Sequence, residues 1–114
     1  MTINKNFVTF SKGIIQELDY PPKVLIAFNK DTKVMGIQIC RAKKRGSFKF
    51  SKPESEQKGI VQVMNKNLKE TLLHIMPEWK PEKCYKVEGN HIPEDKAFVF
   101  EISKFEELAD FRKI

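Results

Sequence analysis

The sequence predicts an α+β domain in which two β-α-β-β repeats build a small sheet or barrel-like core, followed by a C-terminal helix. Three observations point there. Short runs rich in β-branched and apolar residues, such as Lys23 to Phe28 and Ala97 to Ile102, read as strands. Two segments that open on a capping residue, Ser11 and Asn65, carry apolar residues at helical spacing. The order of these signals is the same in both halves, with Ser11 and Leu18 matched by Asn65 and Leu72, each 54 positions on.

In the first half, Phe7 to Phe10 is a β-prone run. Ser11 can accept from a free helical N–H, and Ile14, Ile15 and Leu18 then share one helical face. Tyr20-Pro21-Pro22 ends that helix, because proline drives the preceding residue away from helical dihedrals. Lys23 to Phe28 and Lys33 to Cys40 flank Asn29-Lys30-Asp31-Thr32, whose Asn and Asp satisfy a tight turn locally, so the pair predicts a β-hairpin.

The second half repeats the order. Ile60 to Met64 is a strand, and Asn65 caps a helix to about Met76 through Leu68, Leu72, Leu73, Ile75 and Met76. Pro77 and Pro81 bracket a turn around Trp79, a residue that could serve a partner or close the core. Cys84 to Val87 and Ala97 to Ile102 predict a second hairpin with a long turn from Glu88 to Lys96. Ser103-Lys104-Phe105-Glu106 has the S-x-x-E pattern of a capping box, and Phe105, Leu108, Ala109 and Phe111 follow at helical spacing. The whole is expected to be a single domain over 1–114: repeat one about 3–40, a basic linker 41–59, repeat two about 60–102 and a C-terminal helix 103–114.

Composition narrows the function classes. No apolar run is long enough to span a bilayer, and MTINKNFVTF lacks the apolar core of a signal peptide, so a cytoplasmic location is expected. Cys40 and Cys84 belong to no Cys-x-x-Cys pair and have no histidine at ligand spacing, so both read as small buried hydrophobes. The net charge of +6 is one-sided. Residues 1–57 hold 11 Lys+Arg against 5 Asp+Glu, and residues 58–114 hold 10 of each. Such asymmetry suits a surface that faces a polyanion.

The densest cationic stretch is Arg41-Ala42-Lys43-Lys44-Arg45, followed by Phe48-Lys49-Phe50, with no acidic residue from Arg41 through Pro53. Each phosphate neutralised by such a cluster releases counterions, which makes binding favourable and salt-dependent. Interleaved aromatics can stack on unpaired bases while the cations hold the backbone. The candidate nucleic-acid-binding residues are Lys5, Lys12, Arg41, Lys43, Lys44, Arg45 and Lys49. No catalytic residue and no metal ligand is expected. His74 and His91 have no nucleophile at recognisable spacing, and no glycine-rich phosphate loop occurs. Catalysis would require a pocket that gathers distant groups such as His74, Tyr85 and Glu88.

The stretches FVTFSKGIIQELDYPPKVLIAFNKDTKVMGIQI and IVQVMNKNLKETLLHIMPEWKPEKCYKVEGNHIPEDKAFVFEI cover about two thirds of the chain. In their order of elements they resemble the AbrB and MraZ class of swapped-hairpin DNA-binding proteins. Phe10-Ser11 and Met64-Asn65 stand where that class usually carries an Ile-Pro pair, and Lys5 and Lys12 are the basic residues near that position. The resemblance implies two units intertwined within one chain and a transcriptional regulator that binds DNA. The expected partners are nucleic acid, as duplex or single strand, and a second copy of the chain. No membrane, small-molecule ligand or cofactor is expected. The competing expectation is a protein-interaction module with no enzymatic activity.

Overall fold

The computed structural model describes residues 1–5, 7–40 and 47–108, and strands dominate it, at 45% against 19% helical. In chain order the elements are β1 (Thr2–Ile3), β2 (Val8–Phe10), α1 (Lys12–Glu17), β3 (Lys23–Asn29), β4 (Val34–Ile39), β5 (Ser47–Lys49), β6 (Val61–Val63), α2 (Lys66–Ile75), β7 (Cys84–Ile92), a 3-10 turn (Pro93–Asp95) and β8 (Ala97–Leu108). The strands form one antiparallel sheet in the order β5-β3-β4-β8-β7-β1-β2-β6, curled into a half-barrel.

This overturns the expected α+β core of two β-α-β-β repeats with a C-terminal helix. Strand, helix and hairpin do follow one another twice along the chain, but neither series closes on itself. β4 pairs with β8, setting Met35 opposite Phe100 and Ile37 opposite Phe98. β2 pairs with β6, setting Phe10 opposite Val61. The helices have six and ten residues, too few to form a layer of their own. The alternating strands bury one face of a common sheet, and the helices only cap it.

The C-terminal segment shows why periodicity misled. Residues 103–108 continue β8, with Phe105 opposite Val87, Glu106 opposite Lys86 and Leu108 opposite Cys84. Ser103, the expected N-cap, and Lys104 are exposed beside the irregularity between Val87 and Gly89. Phe105 instead packs edge-on against Trp79 and Tyr85, at 5.4 and 5.6 Å. The partner strand and this aromatic cluster outweigh a weak local helix signal. Residues 109–114 of the expected helix lie outside the described residues. The predicted long turn from Glu88 shrinks likewise. Gly89 to Ile92 pair with Phe100 to Ala97, which leaves Pro93–Asp95 and a left-handed Lys96 to reverse the chain.

Ser11 precedes α1 but its hydroxyl makes no capping bond, whereas Asn65 Oδ1 accepts from Leu68 N at 3.1 Å. α1 buries Ile14 and Ile15; α2 buries Leu68, Leu72 and Ile75. The core gathers around Phe10 and Phe100, both fully buried, with ring centroids 6.1 Å apart. Phe10 also meets Phe50 at 5.2 Å. Phe50 follows β5 at one edge of the sheet and Phe10 sits next to the other edge, so this ring pair marks how far the sheet curls. Trp79 is 4% exposed and stacks flat on Tyr85 at 4.5 Å, which places it in the core rather than at a partner surface.

Candidate nucleic-acid interface

Two lysines meet at the β3–β5 edge. Lys23 opens β3, Lys49 ends β5, and the register sets them directly opposite one another. Directly opposed strand residues have Cβ atoms about 4.5–5.5 Å apart, and like charges there destabilise the sheet. Among the described residues neither lysine has a carboxylate partner. A lysine on an edge strand also discourages edge-to-edge pairing, which favours Lys49 at this place whatever it binds.

The same edge holds both flanks of the basic stretch. Cys40 N donates to Lys23 O at 3.0 Å, and Ser47 pairs with Leu25. Arg41, Lys43, Lys44 and Arg45 lie outside the described residues, but the residues before and after residues 41–46 are both fixed on the first three residues of β3. The other candidates divide. Lys12 begins α1 two residues after Phe10, and Lys49 precedes Phe50; both lysines are exposed, and the Phe10 and Phe50 rings lie 5.2 Å apart. Lys5 is exposed in the β1–β2 turn, at the opposite end of β2. Lys23 is not legible as a site residue from its own segment, because KVLIAF reads only as a strand. Its role depends on a pairing partner 26 positions away.

Charge pairing separates the two halves of the chain. Lys83, just before β7, bonds Glu107 of β8 at 2.7 Å, and this bond raises the lysine pKa. Lys86 reaches Glu88 at 3.4 Å, and Lys104 reaches Glu101 at 2.9 Å. No described lysine before residue 59 forms an ion pair. The described lysines of the first half are therefore not paired with the described carboxylates.

Beside this edge opens a pocket of about 620 Å³. Its apolar wall includes Leu18, Tyr20, Pro21, Pro22, Ile39 and Pro93, and its polar lining includes Glu17, Lys23, His91 and Lys96. His91 Nδ1 lies 2.9 Å from Glu17 Oε2, and the imidazole stacks on Phe98 with centroids 5.3 Å apart. The carboxylate thus fixes the ring and favours the proton on Nδ1, leaving Nε2 as an acceptor when the ring is neutral. Three lining residues, Asp19, Tyr20 and Lys96, have φ of 59°, 51° and 51°. Such backbone costs about 1–3 kcal/mol per residue in non-glycine positions and concentrates at functional sites.

His74, Tyr85 and Glu88 do not converge. His74 lines a shallow hollow with Lys30 and Glu70, Glu88 lines another near Met1, and Tyr85 is stacked in the core. Among the described residues no group of histidine, cysteine and acidic side chains could hold a metal, and no helix is long and apolar enough to cross a membrane. No family model, curated protein or solved structure matches the chain, and nothing among known proteins bears on the resemblance to AbrB and MraZ.

Proposed function

We propose that this is a small cytoplasmic nucleic-acid-binding protein, with a regulatory role, that grips the phosphate backbone at the β3–β5 edge. The observation that carries the reading is the opposition of Lys23 and Lys49 without a carboxylate, at the edge that holds both flanks of residues 41–46. Two like charges across a ladder weaken the sheet unless an anion sits between or above them. A phosphodiester chain supplies such anions at regular spacing, and its condensed counterions are released on contact. Lys12, Lys23, Lys49 and the four cations of residues 41–45 make up the proposed contact set, and Lys5 stands apart from it.

The test is fluorescence anisotropy with a mixed-sequence duplex and with single strands, from low to physiological salt. Binding that weakens steeply with salt is expected. No binding at low salt, where screening is weakest, rejects the reading. Capture of a protein partner that survives charge reversal at Lys23 and Lys49 would favour the interaction-module alternative.

A further inference from the structure

We infer that the pocket beside the lysine edge receives one unpaired base of a single-stranded nucleic acid, an inference that rests on the backbone-binding reading above. Its volume of about 620 Å³ lies in the range of small-ligand sites and admits a nucleobase with its sugar. Its lining holds the residue types a base needs: Tyr20, half-buried against the core, as the aromatic for stacking, prolines and Ile39 for the apolar edge, and His91 for a hydrogen bond to the base rim. Lys23 belongs to both features, lining the pocket and facing Lys49 across the ladder, so a strand held at the edge passes the pocket mouth. Lys96 lies on the same lining and carries a second positive charge for a flanking phosphate.

The backbone agrees with a built site. Tyr20 is bulky and left-handed at φ 51°, a conformation that its neighbours must enforce. Tyr20 N donates to Ile15 O at 3.0 Å, and the following Pro21 carbonyl accepts from Ser51 N and Ser51 Oγ at 3.0 and 2.6 Å. The tyrosine is thus held between the end of α1 and the chain that follows β5. A duplex hides its bases in the stack, so the pocket distinguishes unpaired from paired strands.

The experiment compares three probes of equal length in one buffer: oligothymidylate, oligouridylate and an abasic phosphodiester chain of the same charge. The expected result is that both base-carrying strands bind about tenfold tighter than the abasic strand, the magnitude of one stacked base. Tyr20→Gly removes the ring at a position whose φ suits glycine, and should erase that tenfold difference while leaving abasic binding unchanged. Tyr20→Phe should retain the difference. If Tyr20→Gly does not fold, His91→Ala should narrow the difference by removing the hydrogen bond to the base rim, and an unchanged difference overturns the pocket. Equal binding of abasic and base-carrying strands overturns the base pocket and leaves the backbone reading standing. No binding of any probe at low salt removes both. Equal tightness of thymidylate and uridylate supports the base pocket, since the two share the pyrimidine ring and differ in the 5-methyl group and the 2′-hydroxyl.

Discussion

Two strand glycines should respond oppositely to the same substitution. Glycine inside a strand is generally worse than alanine by about 0.5–1 kcal/mol, so propensity alone predicts that Gly36→Ala and Gly89→Ala both stabilise. At Gly36 on β4 an added Cβ would meet only the Phe98 carbonyl oxygen, at 3.9 Å, an ordinary contact. At Gly89 on β7 it would meet Phe100 Cε1 at 2.6 Å and Phe98 Cδ1 at 2.7 Å. Relief requires both rings to move by close to an ångström. Phe100 is fully buried against Phe10, and Phe98 carries the stacked His91, so neither ring has free space. Overpacking of this kind costs about 1–3 kcal/mol. For a chain of this size each kcal/mol lowers the melting temperature by roughly 4 °C or more. Urea titration with unchanged m-value should place Gly89→Ala below the parent by that amount and Gly36→Ala level with it or above. A Gly89→Ala protein as stable as the parent would refute the packing described around Phe98 and Phe100.

Three further outcomes follow from particular contacts. Asn65→Ala removes the bond to Leu68 N and should cost about 0.5–2 kcal/mol in chemical denaturation. Ser11→Ala, at a position with no capping bond, should cost less than about 0.5 kcal/mol; equal losses at the two sites would contradict the difference in capping. Lys69 Nζ donates to Asn4 O at 2.6 Å, and burial holds its pKa below 10.5, with Cys84 opposing. Because the unfolded chain keeps that proton to higher pH, the folded state gains stability as pH rises through the lowered pKa toward 10.5. The stability of the parent minus that of Lys69→Met should therefore increase over this window, and a flat or falling difference in urea midpoints would refute it.

Much of the strand content was legible because runs of β-branched and apolar residues, and their alternation, are local properties. Lys23 to Phe28, Val34 to Ile39 and Ala97 to Ile102 fall in strands, and Asn65 caps a helix where its spacing from Leu68 and Leu72 predicts one. The architecture was not legible, because the pairings that make one sheet, β4 with β8 and β2 with β6, join residues more than fifty positions apart. Ser103 to Leu108 carries both a capping box and spaced apolar residues, and only the neighbouring β7 decides between helix and strand. The candidate interface divides in the same way. The density of cations in residues 41–49 is visible in the letters. The opposition of Lys23 to Lys49 and the approach of His91 to Glu17 exist only once the sheet is folded.

Replacing Lys23 and Lys49 together by glutamine tests most directly whether this edge is a phosphate contact. Each lost phosphate contact should flatten the plot of log affinity against log salt by about 0.7 on a single strand, so the double variant should lose about 1.4 from the slope, with its urea midpoint unchanged or raised by relief of the like-charge pair. A slope identical to the parent's, in a protein that still binds and folds, would show that the strand lies elsewhere on the molecule.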